Sequence, residues 1–192
     1  MEKKSNVVSK RLRKQLDELE RSKRYDDATQ LLEPIARRGN ADAQYEMGEL
    51  LYHKMVHEAE AVVRNYSNFE KAIFWLDLFR KPELCKADFS DFNKMINWYE
   101  KAAKQKHIKA MVELAEWYTP IRCGSSAKHV IKQSPFFTLK CNFNHALSLY
   151  IEALEIGGDD SFFDVCVIEN LLHSPHVPQK VKDKVVDILQ AR

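Results

Sequence analysis

Internal repetition restricts the fold of this chain more than any other feature. Residues 92–118, FNKMINWYEKAAKQKHIKAMVELAEWY, carry two apolar stripes of helical period joined by a short polar turn. The first stripe is Phe92, Met95, Ile96, Trp98, Tyr99, Ala102 and Ala103, and the second is Ile108, Met111, Val112, Leu114, Ala115 and Tyr118. Small Ala102, Ala103 and Ala110 let two such helices approach closely. Moved back by 67 places, the pattern falls on Tyr25–Leu51. Ala28 then matches Met95, Leu31 matches Trp98, Leu32 matches Tyr99, Ala36 matches Ala103, Ala43 matches Ala110 and Met47 matches Leu114. Moved forward by 51, it falls on Phe143–Asn170, with Leu149 and Tyr150 over Trp98 and Tyr99 and Ala153 over Ala102. Phe69–Arg80 is a fourth, incomplete copy carrying Ala72, Trp75 and Leu76. One helical pair cannot bury its apolar face unaided, so the copies are expected to stack. The fold class is therefore all-α.

The turns inside the copies are less uniform. Gly39 and Gly157 occupy equivalent positions, where a left-handed residue closes a helix. In the middle copy that position is Lys106, so this turn is expected to be made differently.

The segments NADAQYEMGELLYH and FNKMINWYEKAAKQKHIKAM resemble Sel1-like repeats, relatives of the tetratricopeptide repeat. That family pairs an A-x-A-x-x-L-G-x-x-Y helix with a K-A-x-x-W-[YF]-x-K-A-A-x-x-G helix. The resemblance extends over residues 25–173 and implies an α-solenoid of Sel1-like, tetratricopeptide-like helical hairpins. Such a fold binds proteins or peptides rather than catalysing reactions, and no cofactor is implied. In these solenoids the first helix of each pair lines the concave face. Carried over by motif, the binding positions are Asp42, Tyr45 and Glu49 in the first copy, Lys109, Val112 and Glu116 in the second, and Asp160, Phe163 and Val167 in the third. Stand-alone members serve as adaptors in assemblies and as bacterial immunity proteins that mask a toxin, and both roles carry over as expectations.

Taken in order, residues 1–192 read as one domain. Residues 1–24 predict an N-terminal capping helix over Asn6–Arg21, with Val8, Leu12, Leu16 and Leu19 on one face. Residues 25–173 hold the repeats. Within them, Pro34 is expected to kink or end the first hairpin helix, and Ala41–Val63 reads as one long helix. Pro82–Ser90 is a linker, and Asp91 is placed to cap the helix beginning at Phe92. Residues 119–142 form a long irregular stretch between helices. Helices are expected again over Phe143–Ile156 and Asp159–Leu172. Residues 174–192 predict a C-terminal capping helix with Pro178 in its first turn and a Val181, Val185, Ile188, Leu189 stripe.

Few residue patterns argue for chemistry. His53 and His57 lie one helical turn apart, but H-K-M-V-H lacks the glutamate of the zinc-protease motif. Cys123, His129, Cys141 and His145 are zinc-type donors at a spacing that matches no standard knuckle. Glu113 with Glu116, and Asp159 with Asp160, read as solvated helix charge rather than acid–base pairs. Trp75, Trp98 and Trp117 fall on repeat stripes and are assigned to the core. The reading is thus not an enzyme and no metal. Cys85, Cys123, Cys141 and Cys166 suit reduced thiols in a cytoplasmic protein. The start, MEKKSNVVSKRLRKQ, lacks the apolar stretch of a secretory signal, and no run approaches the ~18–20 apolar residues of a membrane span.

Charge is distributed unevenly along a chain of net +2. Residues 1–24 carry nine Lys or Arg against four acids, and residues 119–142 carry four against none. Residues 143–173 carry six acids and no Lys or Arg. Charges of this kind ordinarily decorate solvated helix faces. The sharper reading is an acidic, aromatic-bearing groove that steers a basic protein partner, a toxin among the candidates. Nucleic acid is the lesser alternative, through the basic N-terminal helix and the 119–142 stretch. No membrane partner is expected, and the sequence assigns no oligomeric state.

Overall fold

The computed structural model describes residues 9–63, 90–119, 139–140, 142–156, 172–173 and 177–190, with residues 59–63 and 189 described in backbone only. The incomplete copy over residues 69–80, the linker, most of the 119–142 stretch, Gly157 and the 159–171 segment lie outside these residues. Among the described residues there are seven α-helices of ten residues or more and no strand, so the chain is all-α there. These are α1 (Lys10–Arg21), α2 (Tyr25–Arg37), α3 (Ala41–Val63), α4 (Phe92–Ala103), α5 (Ile108–Tyr118), α6 (Phe143–Glu155) and α7 (Gln179–Gln190). They fall into two compact units, α1–α4 up to His107 and α5–α7 from Ile108 onward.

In the first unit, α1 begins at Lys10 rather than Asn6. Ser9 takes an extended conformation (φ −59°, ψ 146°), and its side chain accepts a hydrogen bond from the Leu12 amide at 3.2 Å. Leu16 of α1 then buries against Ala28, Leu32 and Ala36 of α2 and Ala43, Met47 and Leu50 of α3. Leu12 and Leu19 are partly buried beside them. Burying a leucine such as Leu16 or Leu32 contributes about 2 kcal/mol. The alanines keep the helix axes close.

The proline of α2 does not end it. The helix continues through Pro34 to Arg37. Pro34 stands in the last turn and deprives only the Gln30 carbonyl of its partner; both residues are exposed, so water can replace the lost bond. Asn40 then opens α3, its Oδ1 accepting from the Ala43 amide at 2.8 Å. Buried Gln44 donates back to the Ala36 carbonyl at 3.0 Å, fastening the turn. The 23-residue helix that follows matches the long helix read from the sequence.

Helix α4 meets α3 at Gly48. A β-carbon built there would lie 2.4 Å from Tyr99 Cε1 and 2.6 Å from Cδ1. The Tyr99 ring is fully buried, and its hydroxyl donates to Glu49 Oε1 at 2.7 Å. Glycine is therefore needed at this point of the helix to make room for the ring.

The expectation about Lys106 is overturned. Lys106 adopts φ +62°, as Gly39 adopts φ +91° at the equivalent position. The Lys106 amide donates to the Ala103 carbonyl at 2.8 Å and the His107 amide to the Ala102 carbonyl at 3.2 Å, the paired bonds of a Schellman turn. Lys23 (φ +59°) closes α1 in the same way, with Lys23 donating to Glu20 and Arg24 to Leu19, each at 2.8 Å. Two lysines thus accept a left-handed backbone because the orphan carbonyls at these helix ends gain partners.

Burial recurs with the sequence repeat. Ala28 and Met95, Leu32 and Tyr99, and Ala43 and Ala110 are all 0 % exposed. Met47 and Leu114 are also buried, and so are Tyr150 and Ala153 of the third copy. Ala36 and Ala103 break the pattern: the first is buried and the second only half-buried.

In the second unit, Asn142 caps α6, its side chain accepting from the His145 amide at 3.1 Å. The Asn142 amide donates to the Tyr118 carbonyl at 2.9 Å, which fixes the end of α5 to the start of α6. Val185 of α7 is buried, Val181 and Ile188 are half-buried, and Lys184 pairs with Glu155 of α6 at 2.6 Å. Pro178 precedes α7, and its carbonyl accepts from the Val181 amide at 2.9 Å.

Candidate interaction cleft

Helix α3 runs between α2 and α4 and leaves an open cleft of about 570 Å³ over itself. Its floor is Met47, Leu51 and Lys54 of α3. Asp26, Thr29, Glu33 and Arg37 form the α2 wall at helical spacing. Asp91, Lys94, Asn97, Trp98 and Lys101 form the α4 wall. A shallower hollow of about 370 Å³ continues past Arg37, Trp98 and Lys101 to Ala36 and Gln44.

A chain of ion pairs ties the three helices together at one end of this cleft. Lys54 Nζ donates to Asp26 Oδ1 at 2.8 Å and to Asp91 Oδ2 at 3.2 Å, and Lys94 Nζ donates to Asp91 Oδ1 at 2.6 Å. The Asp91 side chain is 14 % exposed and that of Lys54 22 %. The hydrogen bond to Asp26 leads in pushing the Lys54 ammonium up to about 12; burial opposes it and Asp91 adds to it. Burial alone would push the Asp91 carboxyl up, but the bonds from Lys94 and Lys54 outweigh it and hold the group below its ordinary 3.8. Asp91 was expected to cap α4. It stands at the N-cap position, yet it has helical backbone angles and its side chain makes no capping bond, because both oxygens are taken by lysines.

Toward the other end, the Arg37 guanidinium pairs with Glu33 at 2.7 Å one turn away. Trp98 is only half-buried, where the sequence assigned it to the core. It packs one side on the core and lends the other to the cleft, with Lys101 Nζ 4.1 Å from its ring centroid. Trp117, by contrast, is fully buried as expected; Trp75 lies outside the described residues.

The predicted partner-binding residues lie elsewhere. Asp42, Tyr45 and Glu49 share the side of α3 turned away from Met47, Leu51 and Lys54, as 100° per residue requires. They are half-buried and engaged within the unit. Tyr45 stacks on His107 at 4.8 Å, Asp42 Oδ1 lies 3.4 Å from His107 Nε2, and Glu49 accepts from Tyr99. In the second unit Lys109 is exposed and Glu116 half-buried. Val112 is 6 % exposed and offers a partner almost no surface. Asp160, Phe163 and Val167 lie outside the described residues. Sequence reasoning missed the cleft, although Lys94, Asn97 and Lys101 at i, i+3 and i+7 are a polar stripe of helical period.

The histidines have partners of their own. His53 Nδ1 pairs with Glu20 of α1, and the His57 ring lies 5.9 Å from that of Tyr25. The His145 ring meets Tyr118 edge-on at 4.7 Å, while Cys123, His129 and Cys141 lie outside the described residues. Among the described residues no three His, Cys, Asp or Glu side chains come together as a metal site. No helix among them is long and apolar enough to cross a membrane. Compared with family models, with curated proteins and with solved structures, the chain shows no match.

Proposed function

We propose that the chain is a Sel1-like, tetratricopeptide-like helical-repeat protein, an α-solenoid, that holds another polypeptide and catalyses nothing. One observation supports this reading most. The hairpin recurs in sequence, in burial and in turn conformation at once: Leu32 and Tyr99 are both fully buried, and Gly39 and Lys106 both take positive φ. Repeated hairpins present repeated helix faces, which is how stacked helical repeats make a binding surface. The partner in this reading is a basic protein. Its support is the charge of residues 143–173 in the sequence, six acids without Lys or Arg. A cytoplasmic immunity protein that masks a basic toxin is the specific form proposed, and an adaptor in an assembly is the second.

Capture from native lysate on the immobilised full-length chain tests it. The native chain should retain basic polypeptides that salt releases. A variant with Asp42, Glu49, Glu116 and Asp160 reversed to lysine should lose them, with a flatter salt dependence. Glu49→Gln separates charge from structure, since its amide oxygen still accepts from Tyr99. Equal retention of the same proteins by native and reversed chains, with equal salt slopes, refutes the acidic face.

A further inference from the structure

We infer that α1 is an exchangeable arm, which opens at residues 22–24 and docks on the α2–α3 pair of a second copy of this chain to give a domain-swapped dimer. The surface involved is the one α1 already covers, where Leu16 meets Leu32, Met47 and Leu50 with Leu12 and Leu19 at its margin. Two polar pairs flank it, Arg13 with Glu46 at 3.7 Å and Glu20 with His53. A second copy offers each of these contacts again, so exchange sacrifices none of them.

The hinge supplies the bias. The other two turns of this unit are pinned by side chains that reach another helix. Gln44 of α3 donates to the Ala36 carbonyl of α2, Gln105 donates to Gln44 at 2.7 Å, and His107 pairs with Asp42. At residues 22–24 the side chains reach only their own helices. Ser22 Oγ donates back to the Glu18 and Leu19 carbonyls of α1, and Arg24 pairs forward with Asp27 of α2. Lys23 between them holds φ +59°, a left-handed backbone that is costly for a residue with a β-carbon. No glycine or proline stands between Arg21 and Tyr25, and Arg24 makes no side-chain cap for α2. With the hinge straightened, α1 and α2 run on as one helix and Lys23 returns to the right-handed region. Glu20 with Arg24 and Lys23 with Asp27 then become favourable i, i+4 pairs.

That straight helix requires a second copy. Leu12 to Ala28 and Leu16 to Leu32 are each sixteen residues, ~160° around a helix at 100° per residue. The apolar faces of its two halves point to nearly opposite sides, so the chain's own α2–α3 pair cannot reach the α1 face. A second molecule, related by a two-fold axis, covers that face and receives the same cover in return.

Size exclusion with light scattering tests this on the full-length chain, refolded from urea at concentrations from about 1 μM to about 1 mM. A dimer should appear and its share should rise with concentration. Lys23→Gly should weaken it about a hundredfold, about tenfold for each of two hinges. Glycine removes the left-handed penalty of the closed form and disfavours the straight helix. Lys106→Gly, the same change at a pinned turn, should leave the dimer constant unchanged. Hydrogen exchange separates swapping from simple surface contact. The Asp26 and Asp27 amides stand in the first turn of α2 without an intrahelical acceptor, and should become protected in the dimer alone. Three results overturn the inference: a chain that stays monomeric throughout, a dimer indifferent to Lys23→Gly or equally weakened by Lys106→Gly, or a dimer whose Asp26 and Asp27 amides stay unprotected. The readout is self-association, so it stands or falls apart from the basic-partner reading.

Discussion

Gly48→Ala should destabilise the chain even though it improves helix propensity. Alanine in place of glycine in a helix interior gains about 1 kcal/mol by itself. Here the new β-carbon would lie 2.4, 2.6 and 2.8 Å from Tyr99 Cε1, Cδ1 and Cζ. The ring cannot swing aside, since it is 0 % exposed and its hydroxyl is held by Glu49 at 2.7 Å. Overpacking of this kind costs ~3 kcal/mol at the upper end of its usual range. The balance is a loss of about 2 kcal/mol, a fall in Tm of roughly 4–8 °C for a chain of this size. Tyr99→Val removes all three contacted ring atoms and is destabilising on its own by ~3 kcal/mol. In that background Gly48→Ala should become neutral or stabilising by up to ~1 kcal/mol. The coupling in the double-mutant cycle is therefore about 2–3 kcal/mol. Urea unfolding followed by far-UV circular dichroism measures each leg at constant m. A stabilised Gly48→Ala single variant, or the same loss with and without the Tyr99 ring, would refute the packing argument.

The left-handed lysines give the opposite sign. Lys106→Gly and Lys23→Gly should each stabilise by about 1 kcal/mol, because glycine adopts positive φ without the β-carbon penalty; the same urea series measures it, and a loss in both would contradict the turn geometry. The ion chain predicts the pH profile. Lys54 is raised in the folded state, so its contribution is complete below about 10.5 and is lost as pH rises through about 12. Asp91 is depressed, so its contribution is complete above 3.8 and is lost as pH falls below that value. Lys54→Met should cost ~1–3 kcal/mol at neutral pH, since Asp91 keeps only Lys94, and should remove this lysine's share of the alkaline loss. An unchanged alkaline limb in Lys54→Met would dissociate the profile from this lysine.

Helix boundaries and the core were largely legible in the sequence, because both follow from local periodicity. Leu16, Leu32, Tyr99 and Leu114 occupy stripe positions and are buried. Ala41–Val63 reads in the sequence as one long helix, and it is one helix. What the sequence hid was settled by partners distant in the chain. Asp91 looked like a cap, yet Lys54, 37 residues earlier, competes for its carboxylate and wins together with Lys94. Pro34 looked like a terminator, but its cost depends on whether the freed carbonyl meets water, and here it stands on an exposed face.

The two faces of α3 show why the site was harder to read than the fold. Period alone places Asp42, Tyr45 and Glu49 on one side and Met47, Leu51 and Lys54 on the other. It does not say which side a neighbour will close. In this unit His107 and Tyr99 come down on the first side and consume its polar groups, while α2 and α4 stand apart above the second. A stripe position such as Trp98 therefore carries two meanings: the inner edge of its ring belongs to the core, and the outer edge belongs to whatever enters the cleft. Which meaning dominates depends on the separation of α2 and α4. That separation follows from the small side chains between α2 and α3 and from the Gly48–Tyr99 fit between α3 and α4. The residue that looks least functional in the sequence, a glycine inside a helix, thus helps set the width of the cleft.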